Sequence, residues 1–127
     1  MRRVLMGVAA AALVMTGVAY AHHSFAATYR ESEKITLEGD LLQFSWRNPH
    51  SFVFINVKDE KGELQKWSGE WGSGGQLGNQ GVARDSLKVG DHLIITGDPS
   101  RTEGDNRFRV RTIFRPKDGW RWGGEFD

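Results

Sequence analysis

The sequence predicts an all-β domain, a small five-stranded OB-like Greek-key barrel with a short helix between strands 3 and 4. Three observations lead there. Five segments with the period-two alternation of strands lie between residues 34 and 116. The first is long and broken by a glycine. The one long stretch without strand pattern falls between the third and fourth. A plain meander or an open sandwich would share the first observation.

The chain opens with a segment unlike the rest. Met1-Arg2-Arg3 is positive, Val4–Val18 is apolar and uncharged, and Ala19-Tyr20-Ala21 has the small-x-small pattern of a cleavage site. Residues 1–21 therefore read as a secretory signal peptide, cut before His22. An uncleaved anchor is the competing reading, because Val4 to Ala21 approaches the ~20 residues that span a bilayer. The run's alanine and glycine content and its terminal cleavage site favour removal. The protein is then periplasmic or secreted, with no membrane contact once the signal is gone.

Residues 22–33 are mostly polar apart from Phe25, Tyr29 and two alanines, and read as an N-terminal arm. Lys34–Trp46 is the first strand, with a bend or bulge expected at Gly39-Asp40. Asn48-Pro49 then interrupts the pattern, since proline cannot donate to a ladder. Ser51–Lys58 is the second strand, with Val53, Ile55 and Val57 on one face and Phe52 and Phe54 on the other. After the Asp59-Glu60-Lys61-Gly62 turn, Glu63–Trp71 is the third, setting Trp67, Gly69 and Trp71 against Lys66, Ser68 and Glu70.

Gln76–Leu87 holds no strand pattern and admits a short helix, although Gly78 and Gly81 would each cost it ~1 kcal/mol relative to alanine. His92–Gly97 is the fourth strand. Arg107–Arg115 is the fifth, with Phe108, Val110, Thr112 and Phe114 on one face and Arg109, Arg111 and Ile113 on the other. Residues 117–127 form a tail of glycine, tryptophan and charge without a period. The OB-like domain thus spans 34–116.

The 127 residues suffice for one small domain, with a formal net charge of +1. Signal removal takes Arg2 and Arg3 and no acid, which leaves the mature chain at −1. A near-neutral exported domain has no general attraction for a polyanion, so nucleic acid is not an expected partner. There is no cysteine, and all three methionines (Met1, Met6, Met15) lie in the signal segment. A metal site in the mature protein must use nitrogen and oxygen.

Four histidines survive cleavage: His22, His23, His50 and His92. Cleavage before His22 leaves an α-amine that can chelate an ion together with the His22 imidazole, next to His23. Imidazole suits copper, zinc and nickel. The alternative is an ordinary polar terminus. His50 closes Trp46-Arg47-Asn48-Pro49-His50 between two strands, where a loop on a rigid scaffold can aim it; capping a turn is its plainer role. Glu70 adds an oxygen ligand or a hydrogen bond that orients an imidazole, against its reading as a plain strand residue. His92, at a strand start, reads as a surface histidine. The expected metal ligands are His22, His23, His50 and Glu70, with copper(II) ahead of zinc or nickel because it heads the affinity order at nitrogen sites.

The alternative function is metal-free. Phe52, Phe54, Trp67 and Trp71 would form a stacking face for a glycan, peptide or envelope protein, helped by Arg109 and Arg111. No nucleophile elbow, phosphate loop or metalloprotease helix is present, so no enzyme activity is expected.

His22-His23-Ser24-Phe25, Trp46-x-Asn48-Pro49-His50, Glu70-x-Gly72-Ser73 and Arg84-Asp85-Ser86-Leu87-Lys88-x-Gly90-Asp91 follow one another in the chain. In this order they resemble a family of small exported bacterial proteins classed as a domain of unknown function. The resemblance spans about residues 22–97 and departs at Val82, where an aromatic residue would be expected after Gly81. It implies export and a compact β domain, and it brings no activity with it.

Overall fold

A computed structural model describes residues 25–124 of the chain. Its elements in order are β1 (Ile35–Ser45), β2 (Phe52–Lys58), β3 (Leu64–Glu70), α1 (Gly74–Asn79), β4 (His92–Pro99), β5 (Arg107–Arg115) and β6 (Trp120–Trp122). The sheet order is β3-β2-β1-β4-β5-β6, and a parallel pairing of β3 with β5 closes the first five strands into a barrel. The protein is all-β and OB-like, with the short helix between strands 3 and 4.

Long β1 makes the barrel possible. Its first half, Ile35–Asp40, pairs with β4, and its second half, Gly39–Ser45, pairs with β2. At Gly39, where the two ladders overlap, an added Cβ would collide with the Asn56 carbonyl oxygen, so only glycine permits the approach. The expected bulge is present but lies further on, between Leu41 and Gln43, which leaves Leu42 unpaired and partly exposed.

Period-two alternation fills the barrel. Val53 and Ile55 of β2, Leu93 and Ile95 of β4 and Phe108 of β5 are fully buried. The second half of β5 departs from the expected faces. Thr96 pairs with Thr112 but Gly97 pairs with Val110, so Arg111 is an extra residue and the parity flips beyond it. Ile113, not Thr112 or Phe114, follows Val110 into the core. Phe114 lies beneath the Arg121 guanidinium instead, 4.3 Å from ring centroid to cation.

Helix α1 begins with a capping box. Ser73 Oγ accepts from the Gln76 amide, and the Gln76 side chain accepts from the Ser73 amide. Leu77 of α1 joins Val82 and Leu87 from the following loop in the core cluster.

Two segments read as irregular are built into the fold. Residues 117–124 turn back at Asp118-Gly119, and β6 pairs with the end of β5, setting Trp122 opposite Ile113. Three residues are too few to show a period in the sequence. The described part of the N-terminal arm makes a helical turn over 25–28, and Tyr29 then bridges Ser100. The Arg30 amide donates to the Pro99 carbonyl (2.9 Å) and the Arg101 amide to the Thr28 carbonyl (2.9 Å). Arg101 Nε donates to the Ala26 carbonyl at 2.6 Å.

Candidate functional site

The arm, the loop between β1 and β2, and the end of β3 meet in a cleft of about 560 Å³. Phe25, Pro49, His50, Glu70, Trp71, Gln76, Arg109 and Trp122 are among the residues that line it.

His50 is set by a cross-braced loop. Ser51, fully buried, exchanges backbone bonds with the far side of the cleft: its amide donates to the Gly72 carbonyl (2.9 Å), and its carbonyl accepts from the Trp71 amide (2.8 Å). Its hydroxyl donates to the Arg47 carbonyl (3.2 Å) and accepts from the Arg47 amide (3.1 Å). The Gly74 amide donates to the same Arg47 carbonyl at 2.9 Å. The chain between Arg47 and Ser51, which contains a cis Asn48–Pro49 bond, thus has fixed ends, and His50 projects from it. The His50 ring lies 5.4 Å from that of Phe25.

Glu70 ends β3, paired with Phe52 on one side and Arg109 on the other. Its side chain is only 13% exposed and is held by residues far away in the chain. The Tyr29 hydroxyl donates to Oε2 at 2.6 Å. Arg107 donates through Nε to the Tyr29 oxygen (2.9 Å) and through Nη2 to Glu70 Oε1 (3.4 Å). Burial, and then the bond to Glu70, push the Tyr29 phenol well above its ordinary pKa, so it stays a donor. His50 Nδ1 faces this group, 3.6 Å from Glu70 Oε1. Two buried side-chain polar atoms lack a hydrogen bond among the described residues, His50 Nδ1 and Trp71 Nε1, and both residues line the cleft.

Of the four expected ligands, His50 and Glu70 come together. His22 and His23 lie outside the described residues, as does the whole of the expected signal segment. Among the described residues, no three histidine or acidic side chains converge as a metal-binding group. His92 is on the surface and does not line the cleft. Its Nδ1 lies 2.8 Å from Asp40 Oδ1 and its Nε2 2.8 Å from Glu38 Oε1.

Tyr29, Arg107, Arg109 and Phe25 belong to the site and were not expected there. Tyr29 gave no signal beyond an aromatic residue in a polar arm, and its partner Glu70 is 41 positions away. Arg109 holds its guanidinium 4.1 Å from the Phe25 ring centroid and pairs with Glu31 at 3.2 Å.

The expected four-ring aromatic face does not form. Opposite pleats separate the rings, because β3 sets Trp67 opposite Ile55, an inward residue, and Ser68 opposite Phe54. Trp67, half-buried, packs edge-on against Phe108 of the core, and Trp71 is buried edge-on to Trp122 (4.9 Å between centroids). Phe52 and Phe54 face outward side by side, 6.2 Å apart. Their cations are Arg107, over Phe52, and Lys66, over Phe54. Arg111, by contrast, pairs with the buried Asp98 at 2.8 Å.

DUF6152, a family of unknown function, matches residues 10–107, and the chain belongs to it. No curated protein matches the chain. The fold is similar to the crystal structure of the mitochondrial single-stranded DNA binding protein Rim1 of S. cerevisiae, with a TM-score of 0.50 and 12% identity over 66% of this chain and 93% of that one. At that identity the likeness shows the fold alone.

Proposed function

We propose that this member of a family of unknown function binds a divalent transition metal, copper(II) ahead of zinc or nickel, where its N-terminal arm meets the barrel. The ligands are the His22 amine and imidazole, His23 and His50, with Glu70 beside them. The protein works after export, in the periplasm or outside the cell, and carries or buffers the ion without catalysing a reaction.

One observation supports this reading most. Phe25 packs against His50 in the cleft that also holds Glu70, and His22-His23-Ser24 immediately precede Phe25. Three residues of chain reach at most ~10 Å, a span that allows the two N-terminal histidines to come to His50. The donor set suits the metal: nitrogen ligands without thiolate or thioether favour copper(II) over copper(I).

The test is a calorimetric copper(II) titration of the exported protein, with its first residue confirmed by mass spectrometry. Tight one-to-one binding is expected for a chain starting at His22, with loss of binding in the His22→Ala/His50→Ala variant. Unchanged affinity in that variant would rule the site out.

A second, metal-free reading rests on the outward pair Phe52 and Phe54. They border a groove of about 400 Å³ together with Arg47, Arg107, Gln43, Ser45 and Ser68, a lining without an acid. Stacking rings beside guanidinium groups suit an acidic glycan. Phe54→Ala should abolish glycan binding in a folded protein, and a single-stranded oligonucleotide is the competitor to include in that assay.

A further inference from the structure

The geometry points to Glu70 as a positioning residue and not a ligand: it holds the proton of the neutral His50 ring on Nδ1, leaving Nε2 as the nitrogen that meets an incoming metal. The inference deepens the metal reading and rests on it for its purpose. Its primary readout needs no metal.

Both Glu70 oxygens are already engaged, Oε2 by the Tyr29 hydroxyl at 2.6 Å and Oε1 by Arg107 at 3.4 Å. The carboxylate is 13% exposed. Oε2 could reach an ion only by leaving a short, charge-assisted bond from a phenol that is itself completely buried, and Oε1 is the oxygen that faces His50 Nδ1.

His50 Nδ1 is buried without a hydrogen bond, while the side chain as a whole is 35% exposed. The exposed part of the ring is therefore not the Nδ1 edge, and a metal arriving from the cleft meets Nε2. The group facing Nδ1 is Glu70 Oε1, at 3.6 Å. That is about half an ångström beyond a good N–H···O bond, a gap that a small ring rotation closes. A buried nitrogen facing a carboxylate is stable as an N–H donor. As an unprotonated acceptor it would set a lone pair against the oxygen. Imidazole free in water prefers its proton on Nε2, so the arrangement reverses the default tautomer. Carboxylate–histidine pairs that fix ligand orientation act in this way.

The chain Arg107–Tyr29–Glu70–His50 also ties the arm to the ligand. Tyr29 is four residues beyond Phe25 and seven beyond His22. The hydroxyl that seats the arm is the same one that fixes the carboxylate.

The experiment is long-range ¹H–¹⁵N correlation spectroscopy of the metal-free protein at mildly alkaline pH, followed by copper(II) titration and electron paramagnetic resonance. The expected result is His50 as the Nδ1–H tautomer in the wild type. In Glu70→Gln the tautomer should move towards Nε2–H, with a loss of about 10- to 100-fold in copper affinity and an unchanged donor set. A wild-type ring protonated on Nε2 would overturn the inference without any variant having to fold. So would a Glu70→Gln copper spectrum showing loss of an oxygen donor. An Nδ1–H tautomer in a wild type that binds no copper(II) would support the positioning role and overturn the copper reading.

Discussion

Replacing Tyr29 with phenylalanine removes one oxygen atom and the two hydrogen bonds it makes, and leaves the ring to pack as before. The oxygen donates to Glu70 Oε2 at 2.6 Å and accepts from Arg107 Nε at 2.9 Å. A hydrogen bond to a charged group contributes ~1.5–3 kcal/mol, and part of its loss is the penalty of leaving a buried carboxylate oxygen unmet. Glu70 is mostly buried, so the penalty at its end is close to full. Arg107 is 41% exposed and can turn to water, which discounts the loss at the other end. The balance is about 2 kcal/mol. For a domain near 100 residues that lowers Tm by ~8–16 °C. Urea unfolding followed by tryptophan fluorescence measures the free energy, and the His50 ring resonances report whether the arm still covers the cleft. The hydroxyl seats the arm, so Tyr29→Phe should both destabilise the fold and shift the His50 signals. A change below about 0.5 kcal/mol, the size of an ordinary surface substitution, would refute the claim that this bond anchors the arm.

Three further outcomes are expected. His92 sits between Glu38 and Asp40, whose hydrogen bonds raise its pKa above the ordinary 6.5. The cross-strand tie therefore stabilises the protein fully below about pH 6.5 and is lost as pH rises through the folded-state value. Tm of the wild type measured against pH should fall over that window relative to His92→Gln, and identical curves would count against the tie. Gly75→Ala, in the exposed part of α1 where an added Cβ meets nothing within 4 Å, should stabilise by ~0.5–1 kcal/mol in thermal unfolding. Gly97→Ala should destabilise by ~1–3 kcal/mol or more, because its Cβ would collide with the Arg109 carbonyl oxygen and sit 2.7 Å from Phe108.

The alternation of β2, β3 and β4 was legible because each strand keeps one parity from end to end. Val53 and Ile55, or Leu93 and Ile95, face inward as their spacing says. Where the ladder slips, spacing misleads. The extra residue at Arg111 turns Ile113 inward, and the bulge of β1 falls at Leu42 instead of at the glycine that seemed to mark it. The aromatic face failed for the related reason that shared residue type does not mean shared pleat: Phe54 and Trp67 sit on adjacent strands with opposite parity.

The site shows the same division. His50 and Glu70 could be singled out by residue type and local context. Tyr29 and Arg107 could not, since their contact with Glu70 exists only once β3 and β5 pair and the arm folds across them. A pairing between residues 41 positions apart leaves no periodic trace.

The central claim is that one ion is held jointly by the arm and the barrel. Its most direct test is electron paramagnetic resonance of the protein loaded with one equivalent of copper(II), with ¹⁵N-histidine labelling, in the wild type and in His50→Ala. The account predicts imidazole nitrogen coupling from the N-terminal histidines and from His50, with one nitrogen donor lost in His50→Ala and the others kept. Identical spectra from the two proteins would contradict it, because the ion would then sit on the N-terminus alone and the barrel would have no part in holding it.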